Sequence, residues 1–400
     1  MKISIQHISN TFNYGSLMMA TNIISQLNNN LKNAEFFVDC FTQDDLDRLK
    51  KETNIRNIYF RKENDIIANN IFTKIFKMLQ IIKNDSKFYD LEIVLGGDDI
   101  SEYYGKKQWL KNFIFMYIRH KKIPTYYIGQ TIGPFTSYRK ILARISLNQA
   151  KIYTRDDECY EYLKKIGIKT ANIGRDLAFQ ELPIQEKSNE ILKMYELIPD
   201  SYITIVPSGL YKSYTKNYDS YILEYCNIIE EILEKNGLKT KKIVILAHVK
   251  DRDVSDKLVI EEILKKIKSQ YLKRIMVFKE DLLASEARAI LGAGLFTITG
   301  RMHAAVSTFY MKKPALSLSY SVKYKGVIGY GLDMNDLITE CAEEKIWENG
   351  IVSDLVIDKI DFILANYEKL IADINKNVET TKIIVAFQNE LITNDIKTIK

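Results

Sequence analysis

Short runs rich in Ile, Val, Phe and Tyr alternate along the chain with longer stretches whose apolar residues return every three or four positions. A run of roughly four to eight such residues between polar or glycine positions predicts a buried strand, and the longer spacing predicts an amphipathic helix. Ile3–Ile8, Glu35–Phe41, Leu91–Leu95, Thr125–Ile128 and Lys151–Thr154 are the first predicted strands. Leu17–Leu31, Asp65–Lys83, Lys106–His120, Tyr138–Gln149 and Asp156–Ile166 are the helices between and after them. The pattern then breaks at a polar stretch flanked by Pro183 and Pro199 and resumes. Tyr202–Val206, Lys242–Ala247, Ile275–Phe278, Leu295–Thr299 and Ala315–Leu318 read as strands, with helices near 218–236, 253–268, 284–291 and 302–311.

Repeated strand–helix alternation predicts parallel sheets covered by helices on both faces. The expected organisation is an α/β chain with a Rossmann-like domain over 1–182, a linker over 183–200, a second Rossmann-like domain over 201–330 and a helical extension over 331–400. In open α/β sheets ligands bind beyond the carboxyl ends of the strands. Two such domains facing each other across a cleft would therefore carry their chemistry in the loops that follow the strands.

Composition narrows the functional classes. Of 400 residues 46% are apolar and 27% charged, which fits globular domains able to form two cores without staples. The net charge of +6 comes from 57 basic and 51 acidic side chains with no basic arm, which argues against nucleic acid and suits anionic small substrates or a membrane surface. Cys40, Cys159, Cys226 and Cys341 form no CxxC clip and read as buried thiols in a reducing compartment. Polar residues soon interrupt the apolar start of the chain, unlike a secretory signal, and no apolar run is long enough for a membrane span. The expected location is the cytoplasm, with peripheral contact at the inner face of the membrane and a homo-oligomer as further partners.

Several strand-end loops carry candidate chemistry. In Asn13-Tyr14-Gly15-Ser16, Gly15 allows a tight turn and Asn13 and Ser16 can cap a helix whose first amides attract an anion or sugar hydroxyls; capping alone would explain them equally. Gly96 and Gly97 let a ligand approach the backbone, and Asp98 and Asp99 can accept hydrogen bonds from hydroxyls or act as a base; the plainer alternative is a Gly-Gly turn with a capping Asp. Gln130 and Thr131, in a loop fixed by Gly129, Gly133 and Pro134, would project into the cleft; a purely structural turn would explain them equally. Arg155, before Asp156, could grip a carboxylate or phosphate bidentately, or simply pair with a surface Asp. Asp176 ends another such loop, and Ser208, Tyr211 and His248 are weaker candidates.

The sharpest cluster is Thr299-Gly300-Arg301-Met302-His303, a glycine at a strand end followed by a cation and an imidazole at a helix start. The helix end favours an anion, and His is the side chain best able to move a proton near neutral pH. Lys323, after Tyr320-Ser321, could add a second positive contact. No His/Cys metal spacing, nucleophile elbow, Walker loop or Gly-x-Gly-x-x-Gly fingerprint occurs, so no metal, nucleotide hydrolysis, nicotinamide or flavin is expected.

As an ordered set these motifs resemble the polysaccharide pyruvyl transferase family: Asn13-Tyr14-Gly15-Ser16, Gly96-Gly97-Asp98, Gln130 to Pro134, Arg155-Asp156, Asp176 to Phe179, Arg301-Met302-His303 and Tyr320-Ser321-Val322-Lys323. The resemblance spans residues 10–330 and implies a glycosyltransferase-B-like fold. It implies transfer of a pyruvyl group from phosphoenolpyruvate, a co-substrate needing no cofactor, to a sugar of a cell-surface polysaccharide or its lipid-linked oligosaccharide precursor, as a ketal. Arg301 and His303 then match the family's phosphoenolpyruvate-binding pair, Arg155 its Arg in the first domain, and Lys323 the basic residue after its Tyr-Ser motif. Many relatives have a third Gly where this chain has Asp98, which implies a different acceptor. Two rivals share the architecture: a nucleotide-sugar glycosyltransferase, with Glu286 as its conceivable donor carboxylate, and a non-catalytic anion-binding subunit of a glycan assembly complex.

Overall fold

The computed structural model describes residues 1–400 except 9, 62–69, 106–108, 251–254, 279 and 400. Among these residues the chain divides into two compact units. Residues 1–11, 19–177 and 383–400 form the first; residues 12–18 and 178–382 form the second.

The first unit takes its elements from β1 (Lys2–Gln6), α1 (Tyr14–Asn30, whose residues 14–18 belong to the second unit), β2 (Glu35–Val38), α2 (Gln43–Thr53), β3 (Ile58–Phe60), α3 (Ile71–Phe88), β4 (Leu91–Leu95), α4 (Trp109–His120), β5 (Thr125–Gln130), α5 (Arg139–Leu147), β6 (Lys151–Thr154), α6 (Asp157–Lys165) and β7 (Ala171–Asn172). Its strands pair in parallel in the order β3-β2-β1-β4-β5-β6-β7. All five residues of β4 are buried, as befits a central parallel strand covered on both faces. Helix starts follow local chemistry: Thr42 and Asp45 form a capping box at α2, and Asp156 caps α6 by accepting from the Cys159 amide at 2.7 Å.

The second unit runs through α7 (Gln185–Ser188), α8 (Glu190–Met194), β8 (Tyr202–Val206), α9 (Tyr218–Glu234), β9 (Lys242–Ile245), α10 (Asp256–Lys266), β10 (Ile275–Val277), α11 (Ala284–Ala293), β11 (Thr297–Thr299), α12 (Met302–Tyr310), β12 (Ala315–Ser319), α13 (Val322–Tyr324), β13 (Ile338–Glu340), α14 (Ile351–Ala365) and α15 (Tyr367–Lys397). Its parallel sheet has the order β10-β9-β8-β11-β12-β13. Both orders turn back beside the unit's first strand, between β1 and β4 and between β8 and β11. Such a reversal leaves a crevice at the strand ends where doubly wound sheets hold ligands.

The two Rossmann-like sheets agree with the expected fold class. The departures are short elements. β3, β7 and β13 have too few residues to leave an alternation pattern, and β13 lies inside the stretch expected to be only helical, where it extends the second sheet beside β12. Residues 183–200 carry α7 and α8; Gln185 donates to the Ser285 carbonyl at 3.0 Å and Ser188 to the Ser285 hydroxyl at 2.8 Å. Parts of three predicted helices, at 65–69, 106–108 and 253–254, lie outside the described residues.

The end of α15 belongs to the first unit. There Gln388 Oε1 accepts from the Arg175 amide at 2.9 Å, and Asp395 takes the Tyr126 hydroxyl and pairs with Lys151. The four cysteines are free and buried, and burial pushes their thiols up, away from reactive thiolate. Among the described residues no helix is long and apolar enough to cross a membrane.

Candidate active site

In the second unit one constellation gathers at the turn between β8 and β11. Gly300 follows β11 and donates to the Val206 carbonyl at 3.0 Å. Its own carbonyl accepts from the hydroxyls of Tyr214 at 2.9 Å and Tyr324 at 2.7 Å. A Cβ here would lie 2.9 Å from both the Ser208 Cβ and the Tyr214 hydroxyl, so the position is closed to any side chain.

Arg301 comes next, in extended backbone as the N-cap of α12, with its amide donating to Thr299 Oγ1 at 2.8 Å. Its Nε and Nη2 reach one oxygen of Asp256, at 3.0 and 2.6 Å. Asp256 is fully buried at the start of α10 and also accepts from the amides of Gly209 at 2.7 Å, His248 at 3.0 Å and Val249 at 2.8 Å. Burial works against the Arg301 charge, but the Asp256 carboxylate outweighs it and holds the guanidinium above its usual range. Arg301 is thus a fixed cation, anchored through one buried carboxylate.

His303, half-buried in the first turn of α12, lies directly against Gly15: a Cβ on Gly15 would fall 2.2 Å from its Nδ1 and 2.5 Å from its Cγ. Gly15 is held there because Asn13 caps α1, its side chain accepting from the Gly15 amide at 3.2 Å and its backbone bridging Val249. The Tyr14 amide donates to the His248 carbonyl at 3.2 Å, and the Tyr14 and His248 rings are 5.1 Å apart. Burial, with His303, Arg301 and Arg288 nearby, pushes the His248 imidazole well below its usual value and keeps it neutral. No acidic residue stands in the first turn of α12. A helix N-terminus and a guanidinium are groups that attract an anion, and an imidazole is one that can exchange a proton.

Ser208 and Lys323 are spoken for locally. Ser208 Oγ accepts from the Leu210 amide at 3.2 Å, and Lys323 Nζ donates to the Tyr320 hydroxyl at 2.6 Å, 4.7 Å above that ring. Ser16 is half-buried in the first turn of α1.

The first unit holds the remaining candidates around its own sheet reversal. Gly96 brings the end of β4 against β5, since a Cβ would sit 2.6 Å from the Gly129 carbonyl. The Gly97 carbonyl accepts from the Thr131 amide at 2.9 Å, and that of Asp98 from Ser101 Oγ at 2.7 Å. Asp99 is exposed, 3.8 Å from His7 Nε2. Asp99 and His7 stand on a cavity of about 980 Å³ between the strands and helices α3 and α4. Its lining includes Arg119, whose Nε donates to Glu92 at 2.6 Å and whose Nη2 donates to Asp85 at 2.6 Å.

Gln130 departs from expectation: it is fully buried and donates to the Leu95 carbonyl at 2.5 Å, because the last residue of a central strand turns inward. Arg155 is 2% exposed; its Nε donates to Thr131 Oγ1 at 2.7 Å, its Nη1 is 4.0 Å from Asp176, and among the described residues its Nη2 has no hydrogen-bond acceptor.

The sequence missed Asp256. A lone Asp at a helix start looks like a cap, and its pairing with Arg301 crosses 45 positions. A buried guanidinium implies a carboxylate partner, but not which one. His248, a weak candidate by sequence, proves fully enclosed beside the central groups.

The chain is 20% identical over 331 residues to the amylovoran biosynthesis protein AmsJ of Erwinia amylovora, covering 80% of this chain and 76% of that protein. Among solved structures it resembles S. aureus MnaA in complex with UDP (14% identity, TM-score 0.59, covering 99% of this chain and 96% of that one). It also resembles the UDP-GlcNAc 2-epimerase of Neisseria meningitidis bound to UDP-GlcNAc (12% identity, TM-score 0.59, 98% and 100% covered). The ADP-heptose lps heptosyltransferase II of E. coli is a third (13% identity, TM-score 0.51, 92% and 100% covered). At such identities these structures establish a shared two-sheet fold. The sequence profile described as polysaccharide pyruvyl transferase matches residues 13–322, from the Asn13 cap through Arg301 and His303 to Val322, and this chain therefore belongs to that family of transferases in polysaccharide biosynthesis.

Proposed function

We propose that the protein transfers the pyruvyl group of phosphoenolpyruvate to two hydroxyls of a polysaccharide sugar or its lipid-linked precursor, forming a cyclic ketal and releasing phosphate. The observation that carries this reading is the pairing of a fixed cation, Arg301 on Asp256, with the His303 imidazole at the start of α12. Phosphoenolpyruvate presents a carboxylate and a phosphate on one carbon and so needs fixed positive groups around it.

In this mechanism Arg301 and the α12 N-terminus hold the anionic groups. His303 in its imidazolium form gives a proton to the methylene carbon, which becomes a methyl group. The adjacent carbon, now cationic, takes one sugar hydroxyl, whose proton passes to a base. A second hydroxyl then forms the other C–O bond as the carbon's bond to the phosphate oxygen breaks; phosphate leaves with that electron pair and takes up the second hydroxyl's proton. Asp256 acts as a positioning residue for Arg301. Arg155 is assigned an anion as well, on the strength of its buried Nη2. The cavity beside Asp99, at the upper end of the size range for small-ligand pockets (roughly 300–1,000 Å³), is assigned to the acceptor sugar.

The test is incubation with phosphoenolpyruvate and extracted lipid-linked glycans, followed by mass spectrometry for the ketal. Calorimetry with phosphoenolpyruvate and a panel of nucleotide sugars runs beside it. A ketal product that disappears in His303→Ala and Arg301→Ala is the expected result. Wild-type turnover in both variants, or binding of nucleotide sugars in place of phosphoenolpyruvate, overturns the reading.

A further inference from the structure

The first unit carries a surface that the transfer chemistry does not use. Helix α4 packs between α3 and α5. On α3 the side chains of Met78, Ile81 and Ile82 face the cavity, while Phe72, Ile75, Phe76 and Leu79 lie on the outside of the same helix. Phe72 is 81% exposed and Phe76 68%. The neighbouring helices continue the pattern with Leu110 and Ile114 on α4 and Ile141 and Ile145 on α5, all exposed. Exposed apolar side chains scattered singly need no explanation, but eight of them on three adjoining helices do.

The charge on these helices has one sign. α3, α4 and α5 contain a single carboxylate, Asp85, which is buried against Arg61 and Arg119. Lys74, Lys83 and Lys87 on α3 and Lys140 and Arg144 on α5 are exposed. Lys140 and Arg144 meet Lys165 of α6 around a hollow of about 320 Å³ floored by Ile141, Ile166 and Tyr162. Three cations with no carboxylate, set over apolar side chains, suit a phosphate headgroup with its acyl chain beneath. The patch ends at α6, whose exposed side chains include Glu158 and Glu161.

We propose that this face of α3, α4 and α5 docks the protein peripherally on an anionic phospholipid bilayer, with the α3 and α4 apolar stripe entering the acyl boundary and the α5–α6 cations taking headgroup phosphates. An interfacial surface that combines apolar side chains with cations binds by both terms together. The same two helices that meet the bilayer wall the cavity on their inner side, so an acceptor whose lipid stays in the membrane would present its glycan to that cavity. Only this last step depends on the transfer reaction proposed above.

Sedimentation with vesicles tests the surface without turnover. The intact protein is mixed with phosphatidylglycerol/phosphatidylcholine vesicles or with phosphatidylcholine alone. The expected result is binding to the anionic vesicles that weakens as salt rises and falls about tenfold or more on neutral vesicles. Phe72→Ser/Phe76→Ser and Lys140→Glu/Arg144→Glu should each weaken anionic binding by about tenfold or more. Melting by circular dichroism checks that both variants fold, and either variant alone suffices. Absence of binding, or binding unchanged in a folded variant, overturns the proposal. So does a dimer in sedimentation velocity that these substitutions dissolve, because the face would then belong to a second copy of the chain. Ketal formation on a water-soluble acceptor is unaffected by any of these outcomes, so a failure here is distinct from a failure of the proposed reaction.

Discussion

Gly15→Ala adds one methyl group at a place where the structure leaves none. The new Cβ would stand 2.2–2.8 Å from three atoms of the His303 ring. Carbon atoms pack at about 3.5–4.0 Å, so the ring must retreat by about 1 Å or more. The ring is half-buried. Local stability should not suffer, because Gly15 lies within α1 and Ala in a helix is favoured over Gly by about 0.5–1 kcal/mol. A catalytic group misplaced by about 1 Å loses about a hundredfold in rate, equivalent to about 2.7 kcal/mol of transition-state stabilisation. The assay is kcat for ketal formation beside the melting temperature, for the wild type, Gly15→Ala, His303→Ala and the double variant. The expected pattern is a large drop in kcat with an unchanged or slightly raised melting temperature, and no further loss from Gly15→Ala once His303 is gone. Wild-type kcat in Gly15→Ala, or an equal additional loss in the His303→Ala background, refutes the assignment of His303 to the reaction.

Asp256→Ala leaves the buried Arg301 charge without its carboxylate and three amides without their acceptor, which should cost about 3–5 kcal/mol, read as a lower denaturation midpoint, together with weaker phosphoenolpyruvate binding. Asp256→Asn keeps the shape and should fall between that variant and wild type in both measurements. Arg155→Lys should weaken anion binding by about tenfold in calorimetry and lower the melting temperature slightly, because a lysine lacks the fork that donates to Thr131 with one arm and leaves another for a ligand. His120 should make stability acid-sensitive. Burial pushes it down to about 4, while its ring bonds the Ser146 carbonyl and the Tyr127 hydroxyl, each at 3.0 Å. A base whose folded pKa is depressed gives stability that is full above its unfolded value of about 6.5 and is lost as pH falls toward 4, amounting to about 3 kcal/mol. His120→Gln should therefore flatten the melting curve against pH between about 6.5 and 4.5; an unchanged slope would show that the ring does not titrate there.

The alternation of apolar runs and helical spacing determined the two parallel sheets, because a strand buried on both faces must be apolar throughout and a covering helix must repeat its apolar positions. Gly300, Arg301 and His303 were legible for a related reason: a strand end, a glycine and a helix start are local features, and their chemistry sits within five residues. Short edge strands such as Ile338–Glu340 were not, since three residues carry no period and pairing with β12 decides their conformation. Tertiary structure alone set Asp256 under Arg301, laid Gly15 against His303, and turned Gln130 inward. Each of these joins residues distant in sequence, and a distance between side chains exists only once the chain has folded.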